Sequence, residues 1–376
     1  MNPFVTDRPP GPQELIDREA EASKLLELAT GGHNSRLSAP RRYGKTTLLG
    51  RVRQDAEQAG LATVYVDFYG VVSLEEIVVR IEEAYRQGLQ GPLARWLAAV
   101  LRTWRPSLRA GAPGISVRLE HAPEPETVRL LQKLLDLPLG LHEKSGKRTL
   151  VIFDEFQALL SADDTVDGLI RSRIQHQRDQ ASYVFAGSHP GLMAELFDVR
   201  GRPLFGQARP VPLGPLDDEL LGEYVAERFE DGGKDVGTAL GPLLDLVRGH
   251  PQRAMLAAHH LWEQTTQGSS ANEETWAAAV RSMFSEVQES FERFWEGLSP
   301  NQRRVLTAVA WVGPWGGGDA FYGRSTLARF KLAAGTARDV RRALVKTGDL
   351  EEAAAGIRLV DPLLEAWIGS GRRPPS

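Results

Sequence analysis

The sequence predicts an α/β fold, in which a parallel sheet is flanked by helices and followed by a helical region and a short strand pair. Three observations support this prediction. Residues 37–49 form a basic loop that leads into a helix, residues 148–156 form a continuous apolar run, and strand-like and helix-like segments alternate through about residue 215. Such alternation favours a parallel sheet with right-handed crossover connections.

The first elements follow from apolar spacing and from residues that stop helices. Residues 13–30 predict a helix, after which a short strand should lead into the basic loop. Residues 47–59 predict the helix after that loop. The β-branched run 62–68 predicts a strand, and Ser73 is placed to cap a helix that extends to about residue 87.

The later elements of the sheet are separated by a long insertion. Residues 91–125 predict a tryptophan-bearing helix, a Pro/Gly-rich break and a candidate inserted strand at 115–119, and a helix follows at 126–135. The run 148–156 fits a strand that is buried on both faces. The next strand covers 182–186, and a further short apolar run begins after Pro210.

Composition and charge exclude several classes of protein. The length suggests roughly two or three domains, and the absence of cysteine excludes disulfides, thiolate–metal sites and cysteine nucleophiles. The start is polar and proline-rich, and no apolar run approaches the roughly 20 residues that cross a bilayer. We therefore expect a cytoplasmic protein without membrane contact. The net charge of -4 combines +5 in residues 297–376 with -9 elsewhere. This charge distribution does not favour nucleic-acid binding by the whole chain and leaves it open only for the last module.

The basic loop has the makings of a phosphate-binding loop. It matches the usual pattern except that Ala39 replaces the first glycine, which is tolerable only if that position does not need a positive φ. Gly44 lets the backbone approach an anion, and Lys45 adds a cation beside the free N–H groups of the following helix. The alternative is a basic turn before an ordinary helix. The predicted nucleotide contacts here are Ala39, Pro40, Arg41, Arg42, Tyr43, Gly44, Lys45, Thr46 and Thr47.

Two carboxylates end the buried strand, at the place where α/β sheets bind ligands. Asp154 would hold Mg²⁺ through water, opposite the hydroxyl of Thr46. Glu155 would orient and polarise an attacking water in phosphoryl transfer. Alone, this pair could be solvated acids in a turn, but beside Lys45 it predicts phosphoryl transfer from a bound nucleotide. The absence of an Asn-Lys-x-Asp run argues against GTP as that nucleotide.

These motifs, with several others, resemble the archaeal-type ATPases of the AAA+-related STAND group, which are relatives of origin-recognition initiators. The resemblance spans nearly the whole chain and implies a P-loop NTPase core, a helical lid and a C-terminal winged helix. It divides the chain into a core at 1–215, a lid at 216–288 and a winged helix at 289–376. The segments that carry it are 16–19, 39–46, 151–155, 184–188, 203–206 and 249–251.

The resemblance also implies further site residues. Ser188 would contact the γ-phosphate or the attacking water, although a strand-end serine can equally be a turn or cap residue. Residues 249–251 would pack on adenine or ribose, and their alternative is an ordinary helix start with an early proline. The implied contacts near the base are Pro9, Pro10, Arg18, His250, Pro251 and Arg253, the last as a second sensor.

No arginine finger is identifiable in the sequence. Arg200, Arg202 and Arg209 follow the sensor strand and are candidates for a finger that acts on a neighbouring molecule, although each could be a surface arginine. We therefore expect slow hydrolysis unless a protein partner or a second copy of the chain supplies the charge.

Residues 290–370 predict three helices, a strand pair and a last helix, with Ser299, Ser325 and Thr336 as the N-caps of the three helices. On the third helix one face is apolar and the opposite face is basic. The basic face could contact duplex DNA, or it could be solvated or dock on a protein or on the lid. Its members are Arg338, Arg341, Arg342 and Lys346.

Two functions remain open from the sequence. The leading hypothesis is a slow ATPase that acts as a nucleotide-dependent switch coupled to the winged helix. The alternative is a DNA-binding regulator or initiator-like protein in which ATP is mainly structural. A small-molecule kinase would share the phosphate loop but would not explain the helical lid and the winged helix.

Overall fold

The computed structural model describes residues 1–6, 11, 15–104, 124–313, 318–353 and 356–372. Within these residues the main sheet has five parallel strands in the order β2-β3-β4-β1-β5. The predicted α/β core is confirmed, and the candidate inserted strand at 115–119 lies outside the described residues. The strands are β1 Ser35–Ser38, β2 Ala62–Asp67, β3 Thr149–Asp154, β4 Ala181–Gly187 and β5 Arg209–Pro212.

Strands β3 and β4 are buried along their whole length. In β3, Leu150 and Ile152 pack into one apolar cluster, whereas Val151 and Phe153 pack into a second cluster on the opposite face. This two-sided burial explains why the sequence of β3 is continuously apolar. Because the strands are parallel, the loops that follow β1, β3 and β4 meet at one edge of the sheet.

Helices cover both faces of the sheet. Helices α1 Glu19–Thr30 and α2 Lys45–Gln58 cover one face. As predicted, Ser73 caps the next helix, because its hydroxyl accepts a hydrogen bond from the Glu76 N–H at 3.3 Å. The other face is covered by α3 Leu74–Gly88, α4 Gly91–Trp104, α5 Glu124–Leu135, α6 Leu137–Ser145, α7 Leu159–Ala162, α8 Val166–Ile174 and α9 Pro190–Asp198.

Helix α1 begins at Glu19, so the predicted start at residue 13 is wrong over residues 15–18. Asp17 has a φ of 49°, and its carboxylate accepts a hydrogen bond from the Asp217 N–H at 2.7 Å. Arg18 is buried, and its guanidinium donates to the carbonyl of Gly214 at 2.5 Å. Contacts to a distant part of the chain therefore fix this segment, and local apolar spacing cannot reveal them.

A helical region follows the sheet, as predicted. Phe4 from the N-terminal segment packs against the rings of Phe229 and Trp262, at centroid distances of 5.6 and 6.2 Å. The predicted boundary at 288/289 falls inside the last of these helices. Among the helices of the described ranges, none is long and apolar enough to cross a bilayer. The region comprises α10 Asp218–Asp231, α11 Leu240–Val247, α12 Pro251–Gln264 and α13 Glu273–Gly297.

Residues 300–372 form what we call the C-terminal module. The strand pair that the sequence predicted is present, and its two strands are antiparallel. Trp367 packs against Phe291 and Trp295 of α13, so one apolar core joins the module to the helical region. The module comprises α14 Pro300–Val312, α15 Gly318–Tyr322, α16 Arg324–Arg329, α17 Ala334–Thr347, β6 Leu350–Ala353, β7 Gly356–Leu359 and α18 Pro362–Gly369.

Of the three N-caps predicted in the module, one is confirmed and two are wrong. Ser299 caps α14 in a capping box with Gln302, as predicted. The caps predicted at Ser325 and Thr336 are wrong, because both residues lie inside helices that begin earlier. Helices α16 and α17 follow residues without a side-chain cap, so the sequence lacks the signal that would mark their starts.

Candidate functional site

A cleft of about 580 Å³ lies where β1, β3 and β4 end. Its polar wall carries the basic loop together with Glu155 and Ser188. Its other wall comes from the N-terminal segment and from the helical region. This arrangement suits a ligand with a charged end and a flat apolar end. The apolar and aromatic residues that the N-terminal segment and the helical region contribute include Val5, Leu15, Ile16, Leu216, Tyr224 and Met255.

The backbone of the basic loop turns sharply before α2. Arg42 has a φ of 67° and Gly44 a φ of 83°, both in the left-handed region. A Cβ on Gly44 would meet no atom within 4 Å, so backbone conformation rather than space favours glycine there. Ala39 lies outside the positive-φ region. The missing first glycine is therefore compatible with the loop, and N–H groups at the start of a helix such as α2 are suited to bind an anion.

Lys45 is buried at the first position of α2. Its ammonium donates to the carbonyls of Ala39 at 2.9 Å and Pro40 at 3.0 Å, which hold it against the loop. Burial lowers the pKa of Lys45 to about 8, while the nearby carboxylates of Glu155 and Asp154 act in the opposite direction. The ammonium is therefore poorly solvated, and an anionic ligand would stabilise its charge.

Asp154 is buried at the end of β3 and held from two sides. The Tyr65 hydroxyl donates to Oδ2 at 2.5 Å, and the Glu155 N–H donates to Oδ1 at 2.8 Å. Burial raises the pKa of Asp154, and these two hydrogen bonds oppose that shift. Tyr65 lies on the neighbouring strand β2, so the sheet itself orients the carboxylate.

Glu155 belongs to a compact polar network with Ser188. It has a φ of 49°, and its Oε2 accepts hydrogen bonds from the Ser188 hydroxyl and from Nε2 of Gln157, both at 2.5 Å. His189 Nδ1 lies 3.2 Å from the same Gln157 nitrogen. Ser188 does not cap α9, because His189 occupies the cap position. Gln157 and His189 were missed in the sequence, where the only signal is an amide two residues after Glu155.

The segment 249–251, which was predicted as a lid motif, and the start of α12 contact both the basic loop and the C-terminal module. His250 Nδ1 accepts the Arg253 N–H at 3.3 Å and caps α12, and its ring packs edge-on against Tyr43 at 5.0 Å. Burial lowers the pKa of His250 to about 4. Pro251 lines the cleft, whereas Arg253 forms a bidentate ion pair with Asp361 of the C-terminal module. A sensor role for Arg253 stays a prediction.

The N-terminal segment contributes to the apolar end of the cleft. Val5 and Thr6 line it, and so does the buried Arg18. The Arg18 guanidinium also donates to the Asp17 carbonyl at 3.1 Å and pairs with Glu21 at 3.3 Å, and burial lowers its pKa. The predicted contacts Pro9 and Pro10 lie outside the described residues.

The donors near the loop fit a magnesium ion. Thr46 lines the cleft and offers an exposed hydroxyl. Asp154, whose charge acts on the adjoining Lys45, offers a carboxylate. Mg²⁺ is usually held by one or two such protein oxygens together with phosphate oxygens and waters. The two residues predicted as metal ligands therefore have suitable chemistry, and their role stays a prediction.

The basic face of α17 divides into free and docked parts. Arg338 and Arg342 are exposed, and no ion pair involves them within the described residues. Arg341 donates to Tyr322 and Glu352, and Lys346 pairs with Glu195 of α9 at 2.7 Å. One end of the helix thus docks on the sheet domain, whereas the docking alternatives from the sequence were another protein or the lid.

Helix α17 approaches the sheet domain unusually closely. A Cβ on Gly191 of α9 would lie 2.8 Å from Cα of Lys346, and a Cβ on Gly348 would lie 3.6 Å from the carbonyl oxygen of Ser188. Because the first contact involves backbone, only glycine fits at position 191 without movement. The C-terminal module therefore touches the end of the strand that carries Ser188.

The three candidate finger arginines lie away from the cleft, none of them lining it in the described part of the chain. Arg202 is 3.6 Å from the buried carboxylate of Asp167. Arg200 and Arg209 are exposed. A finger role toward a neighbouring molecule stays a prediction for all three.

Comparison with known proteins places the fold. The chain matches no protein-family model and no curated protein. It is similar in structure to the Walker-type ATPase of Pyrococcus abyssi, with 17% identity and a TM-score of 0.69 over 97% of this chain and 99% of that chain.

Two Aeropyrum pernix proteins are also similar. The Orc2 protein, solved in ADPNP–ADP complexes, has 17% identity and a TM-score of 0.56 over 99% of this chain and 98% of that chain. The Orc1 protein, solved in complex with DNA, has 16% identity and a TM-score of 0.51 over 95% and 93%. The chain therefore has the fold of an archaeal Orc-like AAA+ ATPase.

Proposed function

We propose that the protein binds ATP in the cleft and hydrolyses it slowly as a nucleotide-dependent switch. The observation that carries this proposal is the convergence of Lys45, Glu155 and Ser188 on one wall of the cleft, after three neighbouring strands. The apolar wall opposite suits an adenine base. The ADPNP–ADP complexes in which the similar Aeropyrum Orc2 protein was solved support nucleotide as the ligand class.

Each of the predicted site residues would have its own role in phosphoryl transfer. The N–H groups at the start of α2 and the ammonium of Lys45 would bind the phosphates. Thr46 and Asp154 would hold Mg²⁺, which neutralises phosphate charge when bound. Glu155 would orient the attacking water, and the Ser188 hydroxyl would contact the terminal phosphate. Hydrolysis would be slow because positioning alone leaves much of the transition-state charge unpaired without an arginine finger.

The switch would move the C-terminal module, which we propose to be a winged helix. Two contacts support this coupling: Arg253 pairs with Asp361, and Gly348 lies against Ser188. A change in the phosphate contacts of Ser188 would therefore alter the packing at the docked end of α17. We further propose a cytoplasmic protein whose missing finger comes from a protein partner or a second copy.

Two substitutions test the ATPase proposal. Lys45→Ala should abolish ATP binding, and Glu155→Gln should keep ATP binding while turnover falls at least a hundredfold, because only water activation is lost. Binding is measured by calorimetry and turnover by phosphate release. Lys24→Ala, which removes an exposed lysine on α1, is the matched control and should behave as wild type. Normal turnover in both site variants would refute the proposal.

DNA binding is the second candidate function, favoured by the exposed Arg338 and Arg342 on α17. The similar Aeropyrum Orc1 protein was solved with DNA. Replacing both arginines with alanine should weaken duplex binding and reduce its salt dependence by roughly one unit of slope per lost phosphate contact. Arg293→Ala, an exposed arginine on α13, is the control. Absence of any gel shift at low salt would exclude this function.

A further inference from the structure

Gln157 is a buried glutamine with an unusual pattern of partners. Its side-chain nitrogen donates to Glu155 Oε2 at 2.5 Å and lies 3.2 Å from His189 Nδ1 and 3.5 Å from the Ser188 hydroxyl oxygen. Its oxygen Oε1 is buried and has no hydrogen-bond partner among the described residues. Leaving a buried acceptor unpaired is unfavourable, so the amide is oriented by its donors, toward Glu155.

A second observation shows that the fold makes room for this amide. A Cβ on Gly187 would lie 2.4 Å from Gln157 Oε1 and 2.5 Å from Met193 Sδ. Gly187 has no positive φ, so backbone conformation does not explain the glycine. Any larger residue at the end of β4 would displace the amide. The end of β4, directly before Ser188, therefore leaves room for the side chain of Gln157.

The number of hydrogens on Ser188 and Gln157 determines which of them can donate a hydrogen bond to Glu155. The Ser188 hydroxyl has one hydrogen, which can go either to Glu155 or to a terminal phosphate, but not fully to both. The Gln157 amide has two hydrogens and is held by packing. If Ser188 turned toward a phosphate, Gln157 would remain as the donor to Glu155. Glu155 needs such a donor because its left-handed backbone is strained and persists only when its surroundings hold it.

We propose that Gln157 is a positioning residue of the ATPase site: its amide holds the Glu155 carboxylate in place while the Ser188 hydroxyl exchanges between Glu155 and the terminal phosphate. This inference rests on the proposed ATPase function. Gln157 acts through Glu155 and contacts neither ATP nor the attacking water. Its removal should therefore slow turnover and leave nucleotide affinity intact.

The test compares Gln157→Leu with wild type in the full chain. We expect ATP and ADP dissociation constants within threefold of wild type and a turnover number ten- to a hundredfold lower. Gln157→Asn, which keeps the amide on a shorter side chain, should recover part of the turnover, and it replaces the leucine variant if that variant does not fold. Turnover within twofold of wild type, or an equal loss of affinity and turnover, would overturn the proposal.

A readout without hydrolysis separates this inference from the ATPase proposal. In the protein alone, amide hydrogen exchange at residues 155–158 should be at least tenfold faster in Gln157→Leu, because the carboxylate that holds the turn has lost a donor. Gln177→Leu removes a different buried glutamine, which donates to Leu135, and should not change exchange at 155–158. If wild type hydrolyses no ATP, the ATPase proposal fails, and unchanged exchange would still count against Gln157.

Discussion

At the scale of single residues, the burial of His250 shows how a shifted pKa can make the stability of the fold depend on pH. It is 3% exposed, caps α12 and touches Tyr43 of the basic loop. Burial is the largest cause of its lowered pKa, and the Arg253 cation adds to it, whereas Asp361 acts in the opposite direction. The imidazole is therefore neutral at neutral pH, and it accepts the Arg253 N–H through Nδ1.

This burial predicts an acid-sensitive contribution to stability. Because the pKa is about 4 when folded and about 6.5 when unfolded, the unfolded chain binds more protons between these values. Stability is fully present above pH 6.5 and falls as the pH drops toward 4, by about 3 kcal/mol at most. The measurement is denaturant unfolding at several pH values.

His250→Asn is the matched variant for this prediction, because asparagine is also a good N-cap but does not titrate. Its loss of stability between pH 6.5 and 4.5 should be smaller than that of wild type. Equal pH dependence in the two proteins would mean that His250 makes no such contribution.

The residues of the site differ in how far the sequence could predict them. Lys45 and Asp154 could be predicted because a phosphate loop and an acid-ended strand have local patterns. Gln157 and the Arg253–Asp361 pair were not found, because their partners come from other elements. Whether Ala39 fits the place of the first loop glycine depends on its backbone φ, which the sequence does not reveal. That φ is not positive, so alanine fits.

At the scale of elements, the contact between α9 and α17 depends on one glycine. Gly191→Ala would force a Cβ to within 2.8 Å of the Lys346 backbone, so the helices must separate. Overpacking of this kind costs about 1–3 kcal/mol. We expect a lower melting temperature and faster amide hydrogen exchange in α17.

Gly335→Ala provides the control on α17 itself. A Cβ at that position meets no atom within 4 Å, and alanine is the better helix former. The control should not lose stability and should leave exchange in α17 unchanged. If Gly191→Ala is as stable as wild type, with α17 equally protected, then the two helices are not tightly docked.

The elements were predicted well where a pattern is continuous and poorly where a boundary depends on distant contacts. The continuous apolar run of β3 marked a buried strand correctly. The start of α1 was misplaced because Arg18 is anchored to Gly214. The docking of α17 could only be left as one alternative, because a basic helix face looks the same in sequence whether solvent, DNA or protein covers it.

At the scale of the whole molecule, partly buried ion pairs connect the helical region to the C-terminal module. Arg253 pairs with Asp361, and Arg248 forms two hydrogen bonds with Glu365, at 3.2 and 3.0 Å. Asp361 also caps α18, and the charge of Arg253 lowers its pKa against the effect of burial. These pairs lie beside the apolar core that the two regions share.

Breaking the Arg253–Asp361 pair from one side should be strongly destabilising. Asp361→Asn keeps the cap but leaves Arg253 buried without a counter-charge, at a cost of about 3–5 kcal/mol. The double variant with Arg253→Met should recover much of that loss. Unfolding free energies of the single and double variants give the coupling energy.

The exposed pair of Arg293 and Glu289 is the control for this measurement, and its coupling should be about 0–1 kcal/mol. A coupling equally small for Arg253 and Asp361 would show that the buried pair does not hold the module. The α/β core and the helical region after it were predictable from the order of the motifs. The ion pairs between the helical region and the C-terminal module were not, since residues 253 and 361 share no local pattern.

The contact of Gly348 with the carbonyl of Ser188 has a thermodynamic consequence. If a ligand binds better to the module when α17 is undocked, and ATP alters that docking, then the two affinities are linked reciprocally. Whatever factor ATP applies to the affinity of that ligand, the ligand must apply to the affinity of ATP. A titration of ATP in the presence and absence of duplex DNA would therefore report the coupling at equilibrium, even in a variant that cannot turn over.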